Sequence, residues 1–209
     1  MSSSPYKPRA VAARVATEAD LDAVAETLGL AFEDDPAWSW AFAVPERGPQ
    51  ALWAAWRFLA GSAIEYGSVW QAEDCAAASL WIPPGKSEIK PEDEERFESL
   101  IARLAGDGAA RLFATWACFD RAHEIEQLQQ PYYYLSLLGT HPDRGGQGFG
   151  MGLLAANLER LDAEGAPAYL ESTNPGNNRR YERLGFVQMG EFELPDDGPN
   201  VMQMWRDPA

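Results

Sequence analysis

The chain has 209 residues, 46% of them hydrophobic, which is enough apolar side chain for one continuous core, and a formal net charge of −15. That charge argues against nucleic acid or anionic lipid as a partner, since both attract clustered Lys and Arg, and it suits a small cation better. No stretch approaches the roughly 18 uninterrupted apolar residues of a membrane span, and Cys75 and Cys118 lie in no metal-ligand spacing, so a soluble cytoplasmic protein with two reduced buried thiols and no metal is expected.

Residues 1–9 carry Ser, Pro and Lys without an apolar run and read as a disordered lead-in; 10–209 read as a single domain. Ala10–Ala16 has the composition of a first strand. Thr17, with Asp20 three residues later, offers a helix start, and Leu21, Val24, Leu28 and Phe32 share one helical face until Asp34-Asp35-Pro36 interrupts it. Pro36–Phe42 is an aromatic loop or short helix, and 50–66 a second long helix. Ser68–Gln71 and Ala76–Ile82 read as a hairpin turned at Glu73-Asp74. Pro91–Ala105 and Ala109–Gln129 have helical periodicity, broken by Gly106-Asp107-Gly108.

Tyr132–Thr140 is an almost continuous apolar and aromatic run, too short for a typical helix, and is expected to be a buried central strand. A glycine-rich loop follows, then a helix over Gly148–Ala163, a strand over Ala168–Thr173, a short helix over Asn177–Leu184, and a closing hairpin of Phe186–Leu194 with Asn200–Arg206.

His141 to Gly150 sits where strand passes to helix, so consecutive backbone N–H groups can face an anion, with glycines allowing close approach and Arg144 adding a fixed charge. A Walker loop is excluded because no Gly-Lys-Ser/Thr follows. Gly150-Met151-Gly152-Leu153-Leu154-Ala155 matches a dinucleotide fingerprint in letters, but it lies inside the helix rather than at a tight turn off the strand.

Pro142–Gly150 resembles the Pro-x-x-Gln/Arg-Gly-x-Gly-x-Gly/Ala loop of the GNAT superfamily of N-acetyltransferases, with Gly145 where Gln or Arg is usual and Arg144 one place earlier. Tyr181-Glu182-Arg183-Leu184-Gly185-Phe186 is similar to that family's Tyr-Glu-Arg/Lys-x-Gly-Phe signature, and Asn174 stands at the family's offset before it. Leu170–Asn174, the capped first helix and the Asp34-Asp35-Pro36 break resemble the branch that includes puromycin N-acetyltransferase. The resemblance implies an α/β (α+β layered) fold with a mixed, mostly antiparallel sheet of about seven strands flanked by helices.

It also implies acetyl-CoA as co-substrate, bound over 132–206. The pantetheine arm would pair with Leu138, Gly139 and Thr140, the pyrophosphate would sit on Arg144, Gly145, Gly146, Gln147, Gly148, Phe149 and Gly150, and Asn174 and Asn177 would add side-chain contacts. Tyr181 is the candidate acid for the leaving thiolate and Glu171 the candidate base, directly or through water. Phe32, Trp38 and Trp40 are candidates for an acceptor wall, with Glu33, Asp34 and Asp35 drawing a cation. The function expected is acetyl transfer to the primary amine of a small molecule, by a monomer or homodimer; a non-catalytic acyl-CoA sensor and a peptide-amine acetyltransferase are the alternatives.

Overall fold

The computed structural model describes residues 6–42 and 50–209; residues 1–5 of the expected lead-in lie outside it. The sheet has seven strands, β1 (Ala13–Val15), β2 (Val69–Ala72), β3 (Ala77–Ile82), β4 (Tyr133–Thr140), β5 (Ala168–Ser172), β6 (Val187–Glu193) and β7 (Asn200–Arg206), in the order β1-β2-β3-β4-β5-β7-β6. Neighbours run antiparallel except β4 and β5, which are parallel. This is the mostly antiparallel α/β architecture that the motifs implied.

Helices α1 (Leu21–Ala31), α2 (Pro36–Ala41), α3 (Gln50–Ile64), α4 (Glu94–Ala105) and α5 (Ala109–Ala122) cover one face. Their core joins Leu28, Trp38, Trp56 and Phe119 to Leu80 and Leu137 of the sheet. Helices α6 (Phe149–Glu164) and α7 (Pro175–Glu182) lie over the other, where Leu154, Leu158 and Leu161 meet Leu135, Leu170 and Met204.

Several boundaries differ from those expected. The first strand shrinks to three residues because Arg9–Val11 crosses α6 instead of pairing: a Cβ on Gly152 would stand 2.4 Å from the Arg9 carbonyl. The helix expected to run to Gln129 stops at Ala122, and residues 126–129 form only a 3-10 turn. There the His123 ring leaves the helix line and packs edge-on against Tyr134 and Tyr169. The helix from Gln50 ends at Ile64, before Gly67 turns the chain at φ +65°. Pro175 starts α7 two residues early, as its fixed φ allows. β4, expected to be buried on both faces, alternates between buried and half-buried positions because a cavity lies along one face. Both cysteines are buried and free. Among the described residues no helix is long and apolar enough to cross a membrane, and no group of three or more His, Cys, Asp or Glu is placed to hold a metal.

Candidate active site

The parallel pair at the centre of the sheet comes apart. β4 and β5 are in register only at Tyr133–Leu135 and Ala168–Leu170; beyond that β4 stays with β3 as far as Thr140 and β5 stays with β7 as far as Ser172. The edges at Leu138–Thr140 and Glu171–Ser172 therefore face a gap with ladder positions unused. A bulge sharpens the parting. Leu80 opposes Leu137 and Trp81 opposes Leu135, leaving Ser136 as the extra residue, and its hydroxyl donates to Glu88. Gly139 is needed because α1 presses on the strand: a Cβ there would lie 2.8 Å from that of Ala31.

At the far end of β4 the loop is exposed from Pro142 to Gly148. Pro142–Arg144 makes a 3-10 turn, and Gly146 and Gly148 take positive φ of 72° and 83°, which other residues rarely adopt. No side chain caps α6, so its first-turn N–H groups are free to meet an anion. Gly150 fits against Thr140, whose hydroxyl oxygen would stand 2.5 Å from an added Cβ. The Arg144 guanidinium lies 5.9 Å from the Phe149 ring centroid. Arg9 lies over the same ring at 4.0 Å and donates to the Gln147 carbonyl at 3.2 Å. A second cation thus flanks the loop, contributed by a segment whose sequence has no pattern to announce it.

On the other side of the gap, Asn174 caps α7 by accepting from the Gly176 N–H at 2.9 Å. Gly185 (φ 91°) ends the helical segment, where an added Cβ would lie 3.3 Å from Arg206 Nε, and delivers Phe186 to the core beside the Tyr181 ring. Burial, with the Asp35 carboxylate nearby, pushes the Tyr181 phenol up to about 12. Asp35 itself is a buried cap on α2, accepting from Ala37 N and Trp38 N, and Thr173 donates to its other oxygen at 2.8 Å. Burial raises its pKa against those three hydrogen bonds.

A slot of about 50 Å³ brings Leu138, Glu171, Asn174, Asn177 and Tyr181 together with Phe32 and Trp38. Trp40 is not among its walls; it lies 5.3 Å from the Arg111 guanidinium and close to Gly198. Glu33 and Asp34 are exposed. The loop residues from Arg144 to Gly150 lie outside the slot, at the helix end.

The profile of the acetyltransferase (GNAT) family matches residues 65–186. The chain belongs to the GNAT family. It is 26% identical over 198 residues to an uncharacterized N-acetyltransferase, C550.08, of Schizosaccharomyces pombe, spanning 91% of this chain and 80% of that one. Its structure is similar to that of a histone acetyltransferase HPA2 and related acetyltransferase from Corynebacterium glutamicum, with a TM-score of 0.64, 25% identity, and 96% and 98% of the two chains covered. The polyamine N-acetyltransferase of Drosophila melanogaster shares the fold at 15% identity, with a TM-score of 0.66 over 94% and 99% of the chains. The protein is therefore an acyltransferase of that family.

The sequence reading missed what lies behind the slot of this acetyltransferase. Glu171 has a side chain only 1% exposed, with His123 Nε2 3.1 Å from Oε1, and the Tyr134 and Tyr169 hydroxyls interact with the same carboxyl group. The other imidazole nitrogen of His123 meets the Tyr132 hydroxyl at 2.6 Å. Burial opposes charge on that imidazole, but Glu171, with Glu88 and Asp120 nearby, outweighs it and raises its pKa. Glu88, from the segment between β3 and α4, is pushed up to about 7 by burial, the Ser136 hydrogen bond opposing. No motif links Glu88, His123, Ser136 and Glu171. The one available signal was an ionisable residue at or near the end of an apolar element, and that is too common to choose among.

Proposed function

We propose that the chain is an acetyl-CoA-dependent N-acetyltransferase acting on the primary amine of a small molecule by direct attack on the thioester. The observation that carries this is the meeting, in one slot, of the open β4 edge, the Tyr181 hydroxyl and the buried carboxylates, with the uncapped glycine loop at the end of the same strand. Acetyl-CoA fits these residues in kind. The N–H groups from Gly146 to Gly150 suit a pyrophosphate, Arg9 and Arg144 add positive charge, and the free edge at Leu138–Thr140 suits an amide-bearing arm that adds like a strand.

The reaction is transfer of the acetyl group from sulfur to nitrogen. In this reading a backbone N–H at the open edge near Leu138 would polarise the thioester carbonyl. Tyr181 stays protonated at every physiological pH, so it is always a donor, although its raised pKa makes complete proton transfer less favourable. Glu171, the candidate base directly or through water, has His123 Nε2 3.1 Å from its Oε1. The net charge of −15 favours a cationic acceptor and disfavours nucleic acid, and relatives in the fold include enzymes named for polyamines and arylalkylamines. We read the protein as a soluble cytoplasmic enzyme, a monomer or homodimer, in the branch resembling puromycin N-acetyltransferase.

Calorimetry with acetyl-CoA, followed by thiol-reagent detection of coenzyme A release across arylalkylamines, diamines, aminoglycosides, aminonucleosides and peptides, tests the reading. Saturable binding and release dependent on one of these amine classes are expected. No binding at millimolar acetyl-CoA overturns the reading, and binding without acceptor-dependent release turns it into a sensor.

A further inference from the structure

The slot does not end at Glu171. A cleft of about 1100 Å³ lies under α4 and α5, and Glu88, Trp116, Phe119 and Tyr134 line both spaces, so the two cavities adjoin across a wall that includes Glu88. The cleft wall is aromatic on α5 and β4, with Phe113 partly exposed into it. Its acids are Glu94 and Glu98, one turn apart on the exposed face of α4, and Asp120 on α5, with Lys86 as a basic counterweight. Resting on the acetyl-transfer reading, we infer that the acceptor is a cationic amine with an aromatic or apolar body, that it enters through this cleft, and that Glu88 receives its ammonium proton.

Three observations carry this. First, Glu88 stands where an amine leaving the cleft would enter the slot, and the β4 bulge aims Ser136 at it, at the point where β4 and β5 part. Second, the slot holds a second buried carboxyl group, Glu171, braced by His123 at 3.1 Å and by the Tyr134 and Tyr169 hydroxyls, so two acidic side chains border the place where a cationic amine would arrive. Third, the groups that face Glu88 tune it. Ser136 on β4 and His123 just past α5 favour its ionised form, Glu171 on β5 and Asp120 on α5 disfavour it, Tyr134 lines the same cavities, and burial leaves it near 7. A base there is half-ionised where amines are mostly protonated.

The protons balance. The acceptor ammonium carries three N–H protons and the amide product one. The first passes to the Glu88 carboxylate before attack and escapes through the cleft. The second is lost as the C–N bond forms and the C–S bond breaks, and it ends on the sulfur, directly or by replacing the proton that Tyr181 has donated.

The test uses the full chain with tyramine and putrescine as probes. Glu88→Gln is expected to keep acetyl-CoA affinity within about threefold, to lower kcat/KM for the amine about 10²- to 10⁴-fold, and to remove an acidic limb near pH 7. Glu98→Lys, on the exposed rim, should raise KM for the amine several-fold with kcat kept. Carbon-13 NMR of labelled glutamate gives a reading independent of turnover: one carboxyl titrating near 7, absent in Glu88→Gln, should move to lower pH when either amine binds. A Glu88→Gln enzyme with near-normal kcat/KM and its limb intact would assign that limb to His123 and overturn the proposal, as would a Glu88 carboxyl that ignores both amines at millimolar concentration. Failure of wild-type protein to bind acetyl-CoA would instead strike the underlying transferase reading, so the two failures are distinguishable.

Discussion

At the proposed coenzyme end of the site the backbone would be the binding group, with Gly146 and Gly148 at positive φ, an uncapped α6 and a strand edge left open, whereas at the proposed acceptor end the working groups would be side chains from β4, β5, α5 and the segment after β3. The difference matters for how each end tolerates change. A backbone cradle depends on conformation, so side-chain substitutions around it matter chiefly where they disfavour its φ values, and there by a modest amount. A side-chain constellation depends on each member, and in a half-buried site losing one leaves another unpaired.

Substitutions at the two ends should therefore produce separable defects. After Glu88→Gln, the largest effect is expected at Tyr181, the proposed donor to the leaving sulfur: Tyr181→Phe should lower kcat about 100-fold, with KM for acetyl-CoA nearly unchanged, as steady-state kinetics would register. A fall confined to KM would move Tyr181 from chemistry to binding and blur the contrast. Next is the buried strut between the ends, where Thr173 at the close of β5 donates to the Asp35 carboxylate that caps α2. Thr173→Ala should cost about 2 kcal/mol, since a charge-assisted bond is lost in a buried setting, and lower Tm by about 4–8 °C. The Asp35 pKa should rise further, because that bond holds it down. Unchanged melting would mean that the two ends are not mechanically joined here. The smallest effect is expected at Gly148, where a branched residue at φ 83° should distort the cradle by about 1–2 kcal/mol. Gly148→Val should weaken acetyl-CoA binding about tenfold by calorimetry while leaving the amine KM in place.

The conformation of the loop after β4 was legible because glycine is the residue that such a backbone demands, and its letters stand in one short run. The same holds for Gly185, whose left-handed turn places Phe186 beside Tyr181 and so keeps that signature local. Asn174 was legible with a different first duty, as the cap of α7. Trp40 was read as acceptor wall because it shares a segment with Trp38. Only packing separates them, Trp38 stacking on Phe119 at 5.4 Å while Trp40 lies by Arg111. His123 was placed on a helix that was expected to continue, and the structure ends that helix beneath it.

Length, apolar periodicity and the two motifs settled the family and the order of strands and helices, because hydrophobic repeats and glycine positions act over a few residues and leave their mark in a linear string. The meeting of Glu88 with Ser136, and of His123 with Glu171, was decided only when strands distant in sequence paired and a one-residue bulge turned β4. Proximity of that kind is set by sheet register and helix packing, which no local pattern of residues encodes.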